Sequence, residues 1–80
     1  MQTPVKVSQA VNEVYAELQR ARSLYGPFAS PHEGYAVIKE ELDELWEIIR
    51  GHGRLPGSLR EEATQVAAMA LRFMLDVTGE

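Results

Sequence analysis

The stretch Tyr35–Arg50, YAVIKEELDELWEIIR, limits what this chain can fold into more than any other. A helix turns about 100° per residue, so these positions can be laid out on a wheel centred on Ile38. Tyr35, Leu42, Leu45, Trp46 and Ile49 then form one apolar arc, which Val37 and Ile48 extend on its other side. Glu40, Asp43 and Glu47 fall opposite, where an amphipathic helix meets water. Glu41 and Glu44 break the pattern. Glu41 lies inside the arc, between Ile48 and Leu45, and Glu44 sits at its edge beside Val37. Three residues apart, the two point the same way and can share one ligand. Carboxylates turned toward a core need their charge compensated. A hard cation such as Mg²⁺ or Mn²⁺ does this through oxygen ligation. Ion pairs with basic residues of neighbouring helices do it too.

The flanks of this helix carry agreeing signals. Ser30-Pro31-His32-Glu33 opens it, with Ser30 placed to cap, Pro31 suited to the first turn and Glu33 completing a capping box. Glu33 therefore has a structural role on offer beside any role in a site. Gly34 lies on the Glu41 side of the wheel, where a missing side chain lets another helix or a ligand come close. Gly51 is expected to stop the helix in the left-handed conformation.

Before it, Val7, Val11, Val14, Leu18 and Ala21 recur at helical spacing and predict one buried face running to about Leu24. Thr3-Pro4 is the expected start and Ser8 a second candidate. Glu13, Glu17 and Arg20 fall mostly off that face and are expected in solvent. Tyr25-Gly26-Pro27-Phe28 breaks the helix.

After it, Gly51–Gly57 (GHGRLPG) lacks a phosphate-loop pattern and reads as a connection between antiparallel helices, with Arg54 able to swing toward an anion. Ser58-Leu59-Arg60-Glu61 repeats the capping-box spacing. From Ala63 to Val77 only Thr64, Gln65, Arg72 and Asp76 are not apolar, which leaves this helix little circumference for water. A second chain is the simplest source of the missing cover, with Ala67, Ala68, Leu71 and Leu75 as the expected interface. Glu62 repeats the anomaly, falling between Val66 and Met69 inside the apolar arc, while Glu61 lies farther out. Gln65, Arg72 and Asp76 share the Met69 flank. Gly79 ends the helix.

The expected fold is therefore all-α: a three-helix protomer that completes a helical bundle by homo-oligomerisation. An 80-residue chain makes one small domain, 1–80, and has difficulty burying a sufficient core alone. With no cysteine it has no disulfide, thiolate nucleophile or Cys-based zinc site. A net charge of −4 without a basic stripe argues against duplex nucleic acid as a partner. No apolar run is long enough for a bilayer, and the N-terminus lacks a signal-peptide core, so a cytoplasmic location is expected. His32 and His52 are too isolated to suggest zinc.

HEGYAVIKEELDELW, then a loop, then REEATQVAAMALRFMLDV resembles the MazG-like members of the all-α nucleoside triphosphate pyrophosphatases. The likeness covers about Ser30 to Val77. It implies E-x-x-E on one helix and E-x-x-D on the next, the acids holding Mg²⁺ for cleavage of a nucleotide's α–β phosphoanhydride. By position the first motif falls on Glu41 and Glu44, the pair that the wheel selects, and the second on Glu62 and Gln65. Gln65 departs from the family: an amide is a poorer Mg²⁺ ligand than a carboxylate, and Asp76 is too far along the helix to replace it. The chain also ends where longer members continue into a fourth helix.

The resemblance implies a nucleoside triphosphate substrate, Mg²⁺ (or Mn²⁺) on Glu41, Glu44 and Glu62 with Gln65 as a weak ligand, and a homodimer or homotetramer. Glu40 or Glu33 would orient the attacking water. Arg72 would neutralise phosphate, its structural alternative being an ion pair with Asp76 or Glu62. Trp46 could stack on a base, although an indole on the apolar arc fits the core. The competing expectation is a non-catalytic helical dimer that keeps the fold as a nucleotide-binding or interaction module. A third is a bundle whose inward acids are neutralised by arginines.

Overall fold

A computed structural model describes residues 5–51 and 58–79. They form three α-helices: α1 (Val5–Leu24), α2 (Pro31–Ile49) and α3 (Leu59–Asp76). Both capping serines are engaged. The Ser30 hydroxyl accepts from the Glu33 amide at 3.1 Å, and the Ser58 hydroxyl accepts from the Glu61 amide at 3.0 Å. Glu33 reaches back one residue further than the usual reciprocal bond, accepting from the Ala29 amide at 2.6 Å. Gly51 and Gly79 sit at φ +78° and +77°, the left-handed conformation that ends a helix. Ser8 lies inside α1 rather than at its start. Thr3, Pro4, His52 and Arg54 are outside the described residues.

The helix α3 packs against both others, while α1 and α2 do not pack on each other. Contacts give the directions. Glu13 pairs with Arg60 and Arg22 approaches Asp76, so α1 runs parallel to α3. Gly34 meets Phe73 near the start of α2 and the end of α3, so α2 runs antiparallel. The result is a layer with extents of 37 × 36 × 20 Å.

The core is small: Leu18, Ala21, Phe28, Ala68 and Met69 are its buried apolar residues, with Val14, Val37, Ile38, Phe73 and Val77 packed around them. Gly34 is the contact that sets the α2–α3 spacing. A Cβ there would stand 2.5 Å from Phe73 Cδ2 and 3.1 Å from Phe28 Cδ2. Its bare backbone lets both rings seat against α2.

Several burial expectations are corrected. Val7 and Val11 are 49% and 59% exposed, because α3 covers only the C-terminal half of the α1 stripe. Ala68, expected at an interface, is buried within the protomer, and the open side of α3 carries Ala63, Ala70 and Met74 beside the expected Leu75. On α2, Val37, Ile38, Glu41, Glu44, Leu45 and Ile48 are half-buried, whereas Tyr35, Leu42, Trp46 and Ile49 are exposed. The helix is thus turned so that Glu41, not Ile38, lies near the middle of the covered side. Trp46 is outside the core, with the Arg50 guanidinium 5.9 Å from its ring centroid.

Candidate functional site

A cleft of about 480 Å³ opens on one face of α3. Gln65, Met69 and Arg72 form its floor, Glu17, Arg20 and Ala21 the α1 wall, and Glu33, Val37, Glu40 and Glu41 the α2 wall. The turn Tyr25–Phe28 closes one end.

That end is tied down by α3. Arg72, only 6% exposed, lies with its guanidinium 4.1 Å from the Phe28 ring centroid and 5.8 Å from that of Tyr25. Its Nη2 donates to the Gly26 carbonyl at 2.5 Å. Its Nε is 3.4 Å from Asp76 Oδ2, an ion pair without hydrogen-bond geometry. The same Asp76 oxygen accepts from the Phe28 amide at 3.2 Å. The ion pair with Asp76 is therefore formed, and the guanidinium is used to hold the turn.

On the α2 wall, Glu40, Glu41 and Glu44 each place a carboxylate oxygen within 4.8 Å of the others. Glu40 is exposed and faces away from α3 on the wheel, yet its side chain reaches the rim of this cluster. Glu62 faces them from α3, near enough for its charge to act on both Glu41 and Glu44. Glu62 Oε2 is buried and has no hydrogen-bond partner. Among the described residues no basic side chain pairs with any of these acids.

The electrostatic consequence is direct. Burial, then the charges of Glu44, Glu62 and Glu40, push the Glu41 carboxyl up to about 7. Burial, Glu62 and Glu40 also raise Glu44. Groups that repel one another with no cation nearby hold protons that they would otherwise lose. Glu62 supplies the test of whether a cation fits: a buried carboxylate oxygen without a donor is costly in a protein and is satisfied by a metal ion. The donor set, all oxygen, suits Mg²⁺ or Mn²⁺.

Gln65 sits on the opposite side of the cleft floor, against Glu17. Arg20 holds the Glu17 carboxyl below its usual range; burial opposes this, and the nearby Gln65 side chain assists it. Glu17, expected in solvent, is only 13% exposed at its side chain. The wheel missed it because α1 meets α3 along a line displaced toward Glu17 and Ala21. Its spacing to Arg20, three residues, was the available signal. Comparison with family models, curated proteins and solved structures returned no match to this chain.

Proposed function

We propose that the protein is a divalent-cation-dependent nucleoside triphosphate pyrophosphohydrolase, releasing a monophosphate and pyrophosphate, in line with the MazG-like resemblance. The observation that carries this reading is the cluster of Glu40, Glu41 and Glu44 on α2, beside which Glu62 of the facing helix has a buried oxygen without a partner, with no basic side chain paired to any of them among the described residues. Glu41, Glu44 and Glu62 would hold Mg²⁺ or Mn²⁺, which when bound polarises phosphate oxygens and lowers the pKa of water. Glu40, at the exposed rim, would orient a water and take its proton. Arg72 contributes by fixing the Tyr25–Phe28 end of the cleft, beside which a base can lie.

The active form in this proposal is a homo-oligomer. The uncovered stripe Tyr35, Leu42, Trp46 and Ile49 is the surface that a second copy would bury.

A second reading, a non-catalytic helical dimer, is favoured by the amide at Gln65. Incubation with a nucleotide panel in Mg²⁺ and in Mn²⁺, scored for monophosphate plus pyrophosphate, separates the two. Turnover that Glu41→Gln abolishes is expected. Metal-dependent nucleotide binding without product would leave the scaffold reading standing.

A further inference from the structure

We propose that two copies of this chain associate through an antiparallel pairing of their α2 helices, with Leu42 meeting Leu42 of the second copy on the two-fold axis. The inference rests on the homo-oligomer named above, to which it adds direction and register, and it does not depend on a bound cation.

The exposed stripe is symmetric about Leu42. Tyr35 and Ile49 lie seven residues to either side of it, and Ile38 and Trp46 lie four. Tyr35, Leu42, Trp46 and Ile49 are each half or more exposed, and Ile38 is half-buried at the edge toward α3. Leu42, Asp43, Leu45, Trp46 and Ile49 line a shallow depression of about 350 Å³ on this side of the helix. In a two-fold pair, residue i meets residue j and j meets i. An antiparallel pair centred on Leu42 therefore sets Tyr35 against Ile49 and Ile38 against Trp46, each twice. The three- and four-residue steps are those of a knobs-into-holes seam.

Spacing permits this register, and the flanks fix its direction. At about 100° per residue, Lys39, Asp43 and Glu47 run along one side of the stripe. Gly34, in contact with Phe73, marks the other side as the one that α3 covers. In an antiparallel two-fold pair like flanks face each other, so the charged row of one copy meets the charged row of the other. Lys39 lies three residues before Leu42, whereas Asp43 and Glu47 lie one and five after it. Lys39 of one copy then falls midway between Asp43 and Glu47 of the other, about 3 Å along the axis from each. Within its own chain Lys39 Nζ donates to Asp43 Oδ2 at 3.0 Å, which keeps the ammonium on this flank. A parallel pair would instead turn the charged row toward the side of the second copy that α3 occupies. Exposed ion pairs add little affinity. Here they select the direction, and the apolar seam holds the copies together.

The pairing leaves the acidic wall of the cleft outside the seam. Glu41 and Glu44 lie about 100° and 160° around the helix from Leu42.

The chain has no cysteine, so one introduced thiol reports one contact. Under mild oxidation Leu42→Cys is expected to form a disulfide dimer about tenfold faster or more than Tyr35→Cys or Ile49→Cys alone. A mixture of Tyr35→Cys and Ile49→Cys should crosslink one variant to the other. Lys39→Glu and Asp43→Lys should each weaken self-association about threefold or more. Mixing these two variants should restore association, because opposite charges then meet across the axis. Tyr35→Cys crosslinking to itself as fast as Leu42→Cys does overturns the antiparallel direction. A mixture of the charge variants that associates no more tightly than either alone overturns the register. A parent that is dimeric by light scattering, with no crosslink at Leu42→Cys, removes this pairing and leaves the homo-oligomer. A parent that stays monomeric removes both.

Discussion

Glu41 is the residue whose chemistry is most displaced by its surroundings. Its carboxyl, raised from 4.5 to about 7, binds a proton more tightly in the folded chain than in the unfolded one. The stabilisation this provides is complete below about pH 4.5 and is lost as pH rises through 7. The metal-free protein should accordingly melt at a higher temperature at pH 5 than at pH 8. Glu41→Gln should flatten that dependence, as thermal unfolding across the range would show. Mn²⁺ should reverse the order by stabilising the protein most at pH 8, with proton uptake into buffer measurable on binding. A melting temperature that ignores both pH and Mn²⁺ would count against a converging acidic site. Gly34 makes a different kind of prediction. Helix propensity alone favours Ala there by about 1 kcal/mol. The 2.5 Å approach of Phe73 to the missing Cβ forces the ring to shift, and overpacking costs about 1–3 kcal/mol. Gly34→Ala is therefore expected to lower stability in chemical denaturation, while Gly26→Ala, with nothing within 4 Å, should be close to neutral.

At the scale of elements, the turn between α1 and α2 depends on two side chains of α3. Asp76 and Arg72 are 3% and 7% exposed at their side chains, and they hold the Phe28 amide and the Gly26 carbonyl. Asp76→Ala would leave a buried guanidinium without its counter-charge and a backbone N–H without an acceptor. A loss of about 3 kcal/mol is expected, seen as a drop in melting temperature of roughly 10 °C or more for a chain this size. Asp76→Asn, which keeps an acceptor for Phe28, should cost less. The helices themselves were legible from capping serines, terminal glycines and apolar spacing, because those signals act within a few residues. The rotation of α2 was not. A wheel centres on the mean apolar direction, Ile38, and it cannot show that the neighbouring helix covers the Glu41 side.

For the whole molecule, the decisive feature is that α3 lies between two helices that do not touch each other. One layer covers α3 on part of its circumference and leaves the α2 stripe open, so a partner copy is the expected complement. Light scattering should give at least twice 9.0 kDa, and Trp46→Glu, which places a charge on the 55%-exposed indole position, should shift the protein toward monomer. A monomeric parent would mean that the stripe serves some other contact. The acidic cluster lies on the other side of α2, so Mn²⁺ binding is expected to survive this substitution better than it survives Glu41→Gln.

What the sequence settled alone was local: three helices, where α2 and α3 begin and all three stop, and that Glu41, Glu44 and Glu62 lie on half-buried faces. Each follows from the 3.6-residue repeat and from hydrogen bonds spanning a single turn. The covering of Glu17 by α3, the engagement of Arg72 with the turn, and the exposure of Trp46 needed the fold. They join residues from different helices, and no periodicity within one helix fixes how far another is turned toward it.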